Sequence, residues 1–297
     1  MCHRRGGGSR TDSTNVGHDS VPPCGVMAGL PRTYRRFVAI GDSFTEGLDD
    51  PYPNGTLRGW ADRFAEILAE TNPGLEYANL AVRGRKVREI VDHQVPAALA
   101  MHPDLVSLAG GINDVLRPSV DVDDVAALMR NGVETIRASG ADVLLTCFGD
   151  PSRRSFLLGR VAARLGAYRH HVLSIAKDHD CFVMDFWGVP IFDDARFWAA
   201  DRLHLSPAGH ALVAHNAADA LQIGDSAWRT PPPPEPPMPW LQRRREDGAW
   251  VAEYLGPWLT RRLRGGSSGE GVEPKRPTLS PVKSTSSTPH NMRTTLG

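Results

Sequence analysis

Between residues 32 and 225 the chain alternates short runs rich in apolar residues with stretches of helical period. Phe37–Ile40, Leu75–Leu80, Leu105–Ala109, Val143–Phe148 and Cys181–Phe186 are short enough, and apolar enough, to predict strands buried on both faces. Between them, Trp60–Glu70, Val87–Ala100, Val122–Ala138 and Arg154–Asp178 carry apolar residues at helical spacing. In the second of these, Val87, Ile90, Val91, Val95, Ala98 and Leu99 fall on one side. A last helix is expected from Ser206-Pro207, where serine caps and proline suits the first helical position. Strands alternating with helices predict a parallel sheet between helix layers. Such sheets bind ligands at the carboxyl ends of their strands.

The flanks break this pattern. Residues 1–31 are Gly-, Ser- and Arg-rich without periodicity and are expected to be disordered. The periodic body, 32–225, is followed over 226–239 by a linker in which seven of the nine residues from Pro231 to Pro239 are proline, a stiff polyproline spacer. Segment 240–264 is basic and amphipathic, with Arg243-Arg244-Arg245, Arg261, Arg262 and Arg264 beside Trp250, Tyr254 and Trp258, and is interrupted by Pro257. Two placements suit it: docked on the body through its aromatic face, the favoured one, or in peripheral contact with an anionic membrane. From Gly265 to Gly297 the Gly-, Ser-, Pro- and Thr-rich sequence reads as a disordered tail.

Charge narrows the partners. The 34 basic residues, 30 of them arginine, balance 34 acidic ones, so no global field favours nucleic acid or a membrane surface. Cys2, Cys24, Cys147 and Cys181 show no metal-binding spacing and read as reduced thiols. With no apolar stretch of spanning length and no signal-like segment in residues 1–26, a cytoplasmic location is expected.

The candidate chemistry lies where the strands end. Gly41-Asp42-Ser43-Phe44-Thr45-Glu46-Gly47 follows the first strand and presents a serine on a glycine-flanked turn. Gly84 follows the second strand, and Gly110-Gly111-Ile112-Asn113-Asp114 the third, with Asn113 offering an amide donor. Asp201-Arg202-Leu203-His204 precedes the last helix, a spacing that sets a carboxylate on one imidazole nitrogen and leaves the other for a hydroxyl. Asp42 and Asp114 read as loop braces, and the second Gly-Asp-Ser, at 224–226, as a turn leaving the last helix. His170, His171, His210 and His215 have no ligand spacing, so no metal site is expected, and the absence of a phosphate-binding loop argues against a nucleotide.

Taken in order, Gly41-Asp42-Ser43 with Gly47, then Gly84, then Gly111-Ile112-Asn113-Asp114, then Asp201 to His204, the chain resembles the SGNH hydrolases, also called the GDSL lipase/esterase family. The resemblance runs over about residues 35–220. The segment with Pro257-Trp258 and Arg261-Arg262 is similar to actinobacterial members. It implies an α/β fold, a flavodoxin-like three-layer α/β/α sandwich with a five-stranded parallel sheet. It implies cofactor-free hydrolysis of small-molecule carboxylic esters through an acyl-enzyme. Ser43 would be the nucleophile, His204 the base and Asp201 its orienting acid. The Ser43 and Gly84 N–H groups and the Asn113 amide would form the oxyanion hole. Arg58, Trp60, Arg83, Arg85 and Arg117 gather near the expected mouth, where they could grip an anionic group; surface charge with Trp60 packing a helix is the favoured reading, and Trp60, Arg58 and Arg117 are the candidates for substrate binding. The competing reading is a non-catalytic scaffold on the same fold, recruited to a membrane or a partner through 240–264.

Overall fold

A computed structural model of the protein describes residues 32–153, 159–233, 239–250, 252–253 and 268–282. The expected disorder of 1–31, and Tyr254, Trp258, Arg261, Arg262 and Arg264 of the basic segment, lie outside the described residues.

Strand β1 (Arg36–Gly41) is the centre of the sheet, with β2 (Glu76–Asn79) on one side and β3 (Leu105–Ala109) on the other. Beyond β3 come β4 (Asp142–Cys147) and β5 (Phe182–Asp185), all five strands running parallel. Successive residues of β1 face opposite layers. Phe37 and Ala39 join one apolar cluster, while Val38 and Ile40 join the other. This double burial is why the strands read as unbroken apolar runs.

The short helix α1 (Ser43–Glu46) opens directly off β1, and α2 (Gly59–Thr71) packs on the Phe37 face. The other face is covered by α3 (Val87–Glu89) and α4 (Val95–Leu99), then by α6 (Val122–Ala138) and α7 (Gly159–Asp178), with the one-turn α5 (Ile112–Val115) following β3. Helix α8 (Pro207–Ala220) returns to the α2 side, its Ser206 hydroxyl accepting from the Gly209 N–H at 3.2 Å as the cap expected there. Helix α9 (Trp240–Trp250) follows the proline-rich linker.

The continuous helix expected over 87–100 is instead broken by a π-helical turn, Ile90–Gln94. Pro96 has no N–H to donate and crowds the carbonyl of the preceding turn, so the wider turn accommodates it. The π turn also carries Gln94, whose side chain takes the Gly41 N–H at 2.7 Å and donates to the Gly41 carbonyl at 2.9 Å. It thereby pins the end of β1 two residues before Ser43.

The sheet has six strands rather than five. A final strand, β6 (Arg276–Pro281), pairs antiparallel with β2 in a segment read from sequence as disordered tail. Two prolines made it look unlike a strand, but proline is tolerated at a sheet edge. What anchors it is a buried charge. Lys275 Nζ pairs with Asp62 Oδ1 at 2.8 Å and donates to the Arg58 carbonyl. Among the described residues no helix is long and apolar enough to cross a membrane.

Candidate active site

The order β5-β4-β3-β1-β2 reverses direction between β1 and β3, so a crevice opens at the carboxyl ends of these two strands. Ser43 leaves β1 there and Asn113 leaves β3 there. Ser43 is the first residue of α1, so its N–H has no partner within the helix. Asp42 caps that helix, accepting from the Phe44 N–H at 3.1 Å, the brace expected of it.

The loop before α8 brings His204 back to Ser43 across 161 residues of sequence, with Nε2 3.1 Å from Ser43 Oγ. His204 Nδ1 lies 2.5 Å from Asp201 Oδ2. Asp201 Oδ1 accepts from the Leu203 and His204 N–H groups, both at 2.9 Å, so the loop's own backbone aims the carboxylate. Burial disfavours imidazolium at His204, but the hydrogen bond and charge of Asp201 outweigh it and the pKa is raised above 6.5. Burial likewise acts to raise Asp201, and its bonds from His204 bring it below the usual carboxylate value. With Nδ1 held as donor to Asp201, Nε2 is free to accept the serine proton.

Gly84 sits in a turn closed by Arg85 N–H to the Val82 carbonyl, with φ +74°, a left-handed conformation that glycine adopts without strain. What holds this turn was not visible in sequence. The buried Glu46 accepts from the Arg83 N–H at 2.6 Å and pairs with the Arg83 guanidinium. Glu46 thus ties the Gly84 turn to the helix carrying Ser43. The Asn113 amide lies between the same loops, donating to Asp42 Oδ2 and to the Arg85 carbonyl, each at 3.1 Å. It bridges Asp42, which precedes Ser43, and the turn that holds Gly84. Burial pushes Asp42 up to about 7, so its carboxyl titrates near neutrality. Asp114 accepts from the Val87 N–H at 3.0 Å and braces α3.

A second carboxylate also escaped the sequence reading. Asp49 Oδ2 stands 3.8 Å from His204 Nδ1. An exposed aspartate beyond the serine motif carries no signal of its own. Asp49, Asp201 and His204 together offer three ligand atoms, but two of them already serve the imidazole contact described above.

Of the three substrate-binding candidates, Trp60 is corrected to a core residue. It is 0% exposed and packs on Phe44 and Phe64 beneath the serine loop, because its place on α2 faces the sheet. Arg58 is engaged with Glu66 and lies over the Tyr52 ring. Arg83 and Arg85 are likewise paired, with Glu46 and Glu89. Arg117 follows α5, its carbonyl taken by Arg164 at 3.0 Å, and among the described residues no hydrogen bond joins it to Ser43 or His204. The basic grip expected at the mouth is therefore largely consumed by internal ion pairs. His210 is a satisfied core histidine, accepting from the Trp60 N–H and donating to the Leu48 carbonyl. The second Gly-Asp-Ser leaves α8, its Asp225 accepting from the Ala227 N–H at 3.0 Å.

Known proteins resemble the chain in sequence and in fold. An acetylxylan esterase from Geobacillus stearothermophilus is 27% identical over 208 residues, covering 60% of this chain and 90% of that protein. An alpha/beta hydrolase enzyme from the metagenome of Lake Arreo, Spain, shares the fold with a TM-score of 0.57 at 22% identity, over 67% of this chain and 100% of that one. A solved variant of the Geobacillus esterase gives 0.55 at 20% identity, over 65% and 97% of the two chains. The sequence model of the GDSL-like lipase/acylhydrolase family matches residues 39–212, more than half of the chain. The chain belongs to that family, and it is a carboxylic ester hydrolase.

Proposed function

We propose that the enzyme cleaves carboxylic esters through an acyl-enzyme formed on Ser43, and that acetyl and other short acyl esters are its substrates. The observation that carries the reaction is the unbroken chain of contacts Ser43 Oγ–His204 Nε2, His204 Nδ1–Asp201 Oδ2. His204 takes the serine proton as Oγ attacks the ester carbonyl carbon, and Asp201 stabilises the imidazolium that forms. The N–H groups of Ser43 and Gly84 receive the oxyanion, and Asn113 joins them by exchanging its bond to the Arg85 carbonyl. His204 then gives the proton to the departing alkoxide. Water, deprotonated by the same imidazole, attacks the acyl carbon and frees Ser43.

The acyl preference is supported by the likeness to the acetylxylan esterase. That esterase has been solved with alanine replacing a serine, an aspartate and a histidine, each described as a catalytic mutant. The test is hydrolysis of p-nitrophenyl esters from acetate to palmitate by the native protein and by Ser43→Ala. Turnover is expected to be greatest on acetate and to drop by about a thousandfold or more in the variant, because the members of such a triad act as a unit. Native-like turnover in Ser43→Ala would remove the serine from the mechanism.

A further inference from the structure

A third of this chain has no counterpart in the solved relatives, which are matched almost whole by the remainder. The family match ends at residue 212, and part of the chain beyond it returns to the loops of the candidate site. At the end of α9, the Trp250 indole N–H donates to the backbone carbonyl of Asp201 at 2.8 Å. The Arg202 guanidinium lies over the same indole, 5.3 Å from the ring centroid. Trp250 therefore holds the Asp201–Arg202 peptide by its oxygen and by the side chain that follows. Farther along, Gly269 packs so closely on the Arg83 carbonyl that a Cβ there would overlap it, one residue from Gly84. Lys275 and β6 then fix the segment to α2 and β2.

The Asp201–Arg202 peptide needs holding. Arg202 has φ +58°, a left-handed conformation that is strained for a long side chain. Rotating the peptide that precedes it by half a turn relieves the strain. The same rotation disturbs the turn in which Asp201 Oδ1 accepts from the Leu203 and His204 N–H groups. Leu203, 41% exposed, adds little packing to resist it. The Ala199 carbonyl accepts from the Arg202 N–H at 2.9 Å and secures the other side of the turn. The Asp201 carbonyl is secured by Trp250.

We propose that Trp250 is a positioning residue for the catalytic acid, its indole N–H pinning the Asp201 carbonyl so that the carboxylate stays aimed at His204. The proposal takes Asp201 as the acid, as assigned above. It makes the part of the chain beyond the family match a working component of the site.

The test compares Trp250→Phe and Trp250→Ala with the native full-length protein. Phenylalanine keeps a ring for Arg202 but has no donor, so it isolates the hydrogen bond. On p-nitrophenyl acetate, kcat of Trp250→Phe is expected to fall by about tenfold or more with KM little changed, the usual cost of a slightly misplaced catalytic group. The His204 titration followed by NMR is expected to move down toward 6.5, because a looser Asp201 stabilises imidazolium less. Trp250→Ala should exceed both effects. A Trp250→Phe protein with native kcat and an unshifted His204 titration overturns the proposal, whatever its melting temperature. The NMR arm needs no turnover. A failure of the Ser43 assignment would appear separately, as undiminished hydrolysis by Ser43→Ala.

Discussion

Asp49 shares the His204 imidazole with Asp201, yet the two carboxylates are held differently. Asp201 is aimed by N–H groups of its own loop, whereas Asp49 is placed by what surrounds it. The carbonyl of Leu48 is bonded to His210 at 2.8 Å, and Asp50 takes both the Nε and Nη2 of Arg63. Asp49 itself has φ +65°, tolerated by aspartate better than by most residues. Fixed in this way, it is a second negative charge favouring imidazolium. On the proposed mechanism neutral imidazole is the base, so ester turnover should rise with pH through a His204 pKa lying above 6.5. Replacing Asp49 by asparagine removes one of the charges that raise it, so the acid limb of kcat/KM should move to lower pH. With Asp49 half exposed, the displacement should be largest at low salt and shrink as salt is added. An Asp49→Asn profile superimposable on the native one at low salt would mean that Asp201 alone sets the base. Sequence pointed to Ser43, Asp201 and His204 because they carry motif spacing, and the fold brings the three together. Asp49, Glu46 and Trp250 act through distances that only the folded loops create.

At the scale of elements, the C-terminal strand depends on one buried ion pair. Asp62 also accepts from the Tyr77 hydroxyl at 2.8 Å and the Tyr52 hydroxyl at 3.2 Å, so the lysine completes a polar cluster under β6. Removing Lys275 alone leaves a buried carboxylate short of its counter-charge, a change that costs about 3 kcal/mol. Lys275→Met should therefore lower the melting temperature by several degrees, and the double variant Asp62→Asn/Lys275→Met should recover most of the loss. Equal melting of Lys275→Met and the native protein would show that β6 holds by its backbone pairing alone. The contrast with the first five strands explains what was legible. Those strands announce themselves because both of their faces are buried. β6 lies at the edge, with Pro277 and Pro281, and its burial rests on a lysine one residue before it. Composition counts such a segment as tail. The helix over 87–100 failed for a related reason. Its apolar face was read correctly, but the π turn answers to Pro96 and to the use of Gln94 against Gly41, neither of which periodicity records.

Over the whole molecule, the acid–base balance of the fold opposes the proposed reaction's need for neutral imidazole. Asp42, held at about 7 by burial, keeps its proton in the folded chain while the unfolded chain, near 3.8, has lost it, so rising pH weakens the fold between those values. His210, pushed down to about 4 by burial, acts in the opposite sense. Between there and 6.5 the unfolded chain binds the proton more readily, so its contribution grows with pH. The two largely offset each other up to 6.5. Above it Asp42 is joined by His204, whose raised pKa gives stability that is present below 6.5 and lost as pH climbs through the folded value. The buried Tyr77, Tyr168 and Cys147, all raised by burial, extend the decline at alkaline pH, while Lys275, lowered by burial, works against it toward 10.5. Thermal melts should therefore show a higher midpoint at pH 6 than at pH 8. Asp42 alone accounts for about 1 kcal/mol of that difference, or a few degrees in a chain of this size. Asp42→Asn keeps the Oδ1 acceptor for the Phe44 N–H but puts an amide nitrogen where Oδ2 accepts from Asn113, so it should remove much of the difference between pH 6 and pH 8 while lowering the midpoint at both. A native midpoint as high at pH 8 as at pH 6 would mean that Asp42 ionises in the fold without penalty, its charge satisfied by Asn113 and His204. The enzyme would then keep its full stability in the pH range where its base is most active.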